Sequence, residues 1–147
     1  MILLYDILIS FFYVGYVKYA PGSVASLLML CIYYFIPNIF IIQLYVLIFL
    51  SFSGFLLCYY HSIISEEKDP SFIVIDEVLG ISISLFMLPK SILLYSVSFF
   101  IFRFLDIYKP SIINKSQNVG NGLGIMLDDI ISGFVTILLL WGFLICQ

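Results

Sequence analysis

Five of the nine acidic residues, Asp76, Glu77, Asp106, Asp128 and Asp129, lie inside or at the ends of strongly apolar stretches. A charge is costly there and is rarely kept without a partner or a task. Clustered carboxylates repel one another and are driven toward protonation unless a divalent cation sits among them. An all-oxygen ligand set suits Mg²⁺, which is commonly held by one or two carboxylates together with waters and substrate phosphate. Asp76, Glu77, Asp128 and Asp129 are therefore the candidate metal ligands, and Asp106 joins them as a candidate catalytic carboxylate. Arg103 precedes Asp106 by three residues and Lys109 follows it by three, so the three share one face of a helix. The two cations are complementary to phosphate, one as a bidentate fork and one as a point charge. Two segments, Ala20-Pro21-Gly22-Ser23 and Gly120-Asn121-Gly122-Leu123-Gly124, lead into predicted helices. Backbone N–H groups at helix N-termini bind anions, which makes Gly22, Ser23, Gly122 and Gly124 candidate phosphate contacts.

The elements that must position these groups are set by composition. The 147 residues are 63% hydrophobic and 10% charged, with a mean hydropathy of +1.19. A soluble domain carries roughly 25% charged residues, so the chain reads as a single membrane domain over residues 1–147. The six basic residues form no run or stripe, which excludes a nucleic-acid partner. The three cysteines, Cys31, Cys58 and Cys146, each sit in an apolar stretch and read as small hydrophobes. A spanning helix needs about 20 apolar residues, and Pro, Gly and charge divide the chain into five or six runs. These cover residues 1–17, 23–36, 39–60, 71–88, 91–105 and roughly 127–146. The first is a retained helix that lies along the interface or enters the membrane; the second is short for a full crossing and turns at Pro37. Strand alternation is nowhere sustained, so the expectation is an all-α polytopic bundle of about four to six helices. With residues 61–70 in the cytoplasm and the runs threaded alternately, residues 15–22 and 106–127 fall on the same side. Lys18, Lys68, Arg103, Lys109 and Lys115 then obey the positive-inside rule and only Lys90 lies outside. All five acids lie near the cytoplasmic face in this topology. Asp76 is six residues past Pro70, about 9 Å into its helix, and Asp128 and Asp129 open the last helix, where the dipole favours negative charge.

Plainer readings stand beside these. Asp76 and Glu77 are also suited to an internal ion pair with Arg103 or Lys109, Asp128 and Asp129 to a helix-terminal charge pair, and the glycines to turns or close packing. His61, the only histidine, reads as an interfacial residue.

Three blocks resemble the phosphatidylglycerophosphatase A family. They are Pro21-Gly22-Ser23 leading to Ser26-Leu27; Asp69-Pro70 leading to Ile73-Val74-Ile75-Asp76-Glu77 and Gly80; and Phe102-Arg103-Phe104-Leu105-Asp106-Ile107 with Lys109-Pro110. The last continues into Gly122-Leu123-Gly124-Ile125-Met126-Leu127-Asp128-Asp129 and Gly133. Two departures occur: Ser23 and Ala25 replace the family's Thr and second Gly, and Ser111-Ile112-Ile113 lacks its second proline. Neither removes a charge. The resemblance implies a Mg²⁺-dependent lipid phosphatase that converts phosphatidylglycerophosphate to phosphatidylglycerol in phospholipid biosynthesis. It also implies a multi-pass protein of the bacterial inner (cytoplasmic) membrane with its site facing the cytoplasm. Water attack and a covalent carboxylate intermediate both remain open. No Cys or His lies in the blocks, which disfavours cysteine and histidine phosphatases, and the signatures of haloacid-dehalogenase phosphatases and CDP-alcohol phosphotransferases are absent. The alternative from another class is a small ion transporter or channel lined by the same carboxylates, which would spread charge through the membrane depth.

Overall fold

Prolines and left-handed turns cut this apolar chain into helices, and the computed structural model describes residues 2–65, 70–108 and 123–146. It is all-α: the described residues hold six helices and one 3-10 turn, joined by turns and short extended segments. Helix α1 (Ile2–Ile9) is followed by the turn Val14–Tyr16, then α2 (Pro21–Phe35), α3 (Phe40–Ile64), α4 (Ile75–Ser84), α5 (Ile92–Tyr108) and α6 (Leu123–Ile145). Pro21 occupies the first turn of α2, where its missing N–H is no loss, and Ile36 leaves the helix extended ahead of Pro37.

Helix α4 lies in the middle, against α6 most extensively and also against α2, α3 and α5. Every residue of α4 except Glu77 is buried. This corrects the expected span over residues 71–88, because ten helical residues rise only about 15 Å, against a hydrocarbon core of about 30 Å. A helix apolar all round can be surrounded by protein as well as by lipid, and here it is surrounded by protein. Residues 85–87 form a turn in which Met87 has φ 57. The buried amide of Gln43 holds that turn: Met87 N–H donates to Gln43 Oε1 at 2.7 Å, while Gln43 Nε2 donates to Asn38 Oδ1 at 3.0 Å. Lys90 Nζ donates to the Tyr34 carbonyl at 2.7 Å, so the end of α2 and the starts of α3 and α5 share this end of the bundle.

The N-terminal run also differs from a continuous helix over residues 1–17. Phe11, Phe12 and Tyr13 take φ of 46, 58 and 66, a left-handed stretch that ends α1. The reversal lets Val74 N–H donate to the Ile9 carbonyl at 3.2 Å and sets Gly15 against the Phe72 carbonyl, where no Cβ would fit. Tyr5 and His61 Nδ1 share a hydrogen bond of 2.7 Å that ties α1 to α3.

Helices α3, over Phe40–Ile64, and α6, over Gly124–Ile145, are long and apolar enough to cross a membrane. Large side chains such as Phe49, Phe52 and Leu138 are exposed on their outer faces.

Candidate active site

At the other end of the bundle, the starts of α2, α4 and α6 meet the end of α5. The first turn of α4 carries Asp76 and Glu77, and the last two turns of α5 carry Arg103 and Asp106. Asp128 and Asp129 come from α6, but they do not open it. The helix begins at Leu123, so the pair occupies its second turn, and Gly124 is a buried residue of the first turn and no part of a preceding loop. Leu123 is as good a helix former as the residues after it, which is why the helix starts before the charges.

These side chains enclose a cavity of about 330 Å³. Asp76, Glu77, Arg103, Asp106, Asp128 and Asp129 line it, with Pro21 and Gly22 of α2 and the Pro70-Ser71 turn forming its wall. Carboxylate oxygens of Asp76, Glu77 and Asp129 lie within 4.8 Å of one another, and so do those of Asp106, Asp128 and Asp129. Asp129 belongs to both groups. All four aspartates are buried, and Asp76 Oδ1 and Glu77 Oε2 accept no hydrogen bond. Buried carboxylate oxygens without donors are costly, and a hard divalent cation is the ligand that an all-oxygen set of this kind fits.

Arg103 is the one cation of the cavity among the described residues. Its Nη1 lies 2.6 Å from Asp106 Oδ2 and 3.9 Å from Glu77 Oε1. The i, i+3 spacing on α5 makes the first contact, and packing of α4 on α5 makes the second. Gly22 backs onto this pair. A Cβ there would overlap Glu77 Oε1 and lie 3.3 Å from Arg103 Nη1, so the glycine makes room for the carboxylate. Ser26 Oγ donates to the Gly22 carbonyl at 2.8 Å, which satisfies the acceptor on that turn. Ser23 follows on α2, half-buried, and does not line the cavity. Lys109 and Gly122, the remaining candidates for phosphate, lie outside the described residues.

Sequence reasoning passed over Pro70 and Ser71 as cavity wall and His61 as a buried residue tied to Tyr5. Nothing in hydropathy or spacing distinguishes a wall residue from a turn residue, and the only signal at His61 was its rarity.

The family model described as phosphatidylglycerophosphatase A matches residues 7–144. Phosphatidylglycerophosphatase A of Escherichia coli (strain K12) is 35% identical over 123 residues, which cover 79% of this chain and 69% of that one. A Bacteroides thetaiotaomicron protein named "Putative phosphatidylinositol-3-phosphatase" is 29% identical over 136 residues, covering 86% of this chain and 84% of its own. No solved structure matches the chain.

Proposed function

The chain belongs to the phosphatidylglycerophosphatase A family, a family of phosphatase hydrolases, and from that premise we propose that it removes the terminal phosphate of phosphatidylglycerophosphate with Mg²⁺ as cofactor. The observation that carries this reading is the convergence of five carboxylates and one guanidinium, from three helices, on one cavity at one end of the bundle. Asp76, Glu77, Asp128 and Asp129 hold the cation, and Asp106 braces Arg103. When bound, the cation supplies positive charge beside the transferring phosphoryl group and makes a neighbouring water more acidic. Arg103, fixed by Asp106 on one edge, presents its other N–H groups to the phosphate oxygens, with Lys109 as a second positive charge and the N–H groups of Gly22, Gly122 and Gly124 as further donors.

Water attacks phosphorus in line with the glycerol oxygen. The new P–O bond forms as the old one breaks, a cavity carboxylate takes the water's proton, and the same proton passes on to the departing glycerol oxygen, giving the alcohol and hydrogen phosphate. Burial of the aspartates keeps bulk water away, so each charge acts at low screening. The acyl chains remain among the helices. Helices α3 and α6 cross the inner membrane with the shorter helices packed between and beside them, and the cavity opens to the cytoplasm, an orientation the positive-inside rule supports. The convergence of these five acids at one end of the bundle favours this reading over an ion path through the bilayer.

The test is phosphate release from phosphatidylglycerophosphate by the purified chain in mixed micelles, with Mg²⁺ or with EDTA. Release that needs Mg²⁺ and is lost in Asp129→Asn is the expected result. Absence of release with Mg²⁺ present would overturn the proposal, and release from phosphatidylinositol 3-phosphate alone would transfer the activity to that lipid.

A further inference from the structure

Helices α4 and α6 approach each other where neither has a side chain. A Cβ on Gly133 would overlap the Gly80 carbonyl oxygen, and one on Gly80 would meet the Phe102 ring at 2.6 Å and the Asp129 carbonyl at 2.9 Å. Asp76 stands four residues before Gly80 and Asp129 four residues before Gly133, so each acid lies one helical turn from the contact, on the same face. We infer that the Gly80–Gly133 crossing is the spacer that sets which divalent cation the carboxylate cluster accepts.

Aspartate side chains are short and offer little slack, so the separation of the two helices passes almost directly into the separation of their oxygens. Mg²⁺ takes oxygens at about 2.0–2.1 Å and Ca²⁺ at about 2.3–2.6 Å, which changes the span between opposed ligands by only about 0.7 Å. Adding a methyl group against the Gly80 carbonyl pushes the helices apart by about 1 Å before contact becomes ordinary. Such a step is large enough to move the cluster from the smaller ion's dimensions to the larger one's. The glycines offer the cation no ligand atom, and their role is to position Asp76 and Asp129. Gly142, on the same helix with nothing within 4 Å of its Cβ position, provides the control.

The inference rests on the proposed cation site, and the experiment separates the two. Binding of Mn²⁺ to the full chain in detergent is followed by electron paramagnetic resonance, with Mg²⁺ and Ca²⁺ as competitors and helix content measured in parallel. Gly133→Ala is expected to bind Mn²⁺ about tenfold more weakly relative to Ca²⁺, Gly80→Ala to shift the same way, and Gly142→Ala to match the unaltered chain. An unchanged Mn²⁺ to Ca²⁺ ratio in the folded variants would overturn the spacer alone. Loss of helix content in both variants would also overturn it, by making the contact purely structural. Absence of Mn²⁺ binding to the unaltered chain would overturn the site and the spacer together.

Discussion

Arg103 faces both Asp106 at 2.6 Å and Glu77 at 3.9 Å through the single nitrogen Nη1, which leaves the guanidinium a second donor nitrogen for phosphate that lysine lacks. Arg103→Lys keeps the charge but loses the second donor, and a charge-assisted hydrogen bond contributes about 1.5–3 kcal/mol. Steady-state kinetics on micellar phosphatidylglycerophosphate should show kcat/KM falling about 10–100-fold. Gly22→Ala is the complementary test. It suits a helix, yet its methyl group would displace the Glu77 carboxylate, so divalent-cation binding is expected to weaken while helix content holds. The acids were legible in the sequence because a charge in an apolar run has few explanations. Gly22 was legible as a special position, but its partner was not: nothing local says that Glu77, 55 residues later, packs against it.

For the elements, legibility depended on what ends a helix. Pro37 and the charged and proline-containing segments left readable marks, so α2, α3 and α5 fall close to the expected runs. Residues 71–88 gave no such mark, because hydropathy reports that a segment avoids water and is silent on whether lipid or protein replaces it. The start of α6 is hidden for a related reason: hydropathy marks the apolar run from about residue 127, whereas the helix begins five residues before Asp128. The far end of α4 depends on Gln43, whose Oε1 accepts the Met87 N–H at 2.7 Å. Gln43→Ala leaves that N–H without its acceptor and loosens the turn after α4, with an expected cost of about 1–3 kcal/mol. Thermal unfolding in detergent would register it as a lower midpoint. Equal midpoints for the two chains would mean that Gln43 does not hold the turn.

For the whole molecule, the five carboxylates of the cavity are a liability to the fold when no cation balances them. Any ligand that binds only the folded state stabilises it, by about 2.7 kcal/mol at a concentration 100 times its Kd. The unfolding midpoint should therefore rise with Mg²⁺ and fall when EDTA removes it, and Asp129→Asn should flatten that response. An unchanged midpoint across this titration would argue against a bound cation. The all-α architecture was legible from composition and run length, whereas the central place of α4 was not, since it follows from which helices meet. That central place bears on how the protein is made. A nascent chain that has emerged only as far as α5 lacks α6, the neighbour against which α4 packs most. Until α6 arrives, the Gly80 surface and the acids beside it face lipid or an insertase, a state that membrane quality-control proteases can recognise. Emergence of α6 from the ribosome is thus the step that encloses α4, and truncations before residue 123 should be degraded in the cell.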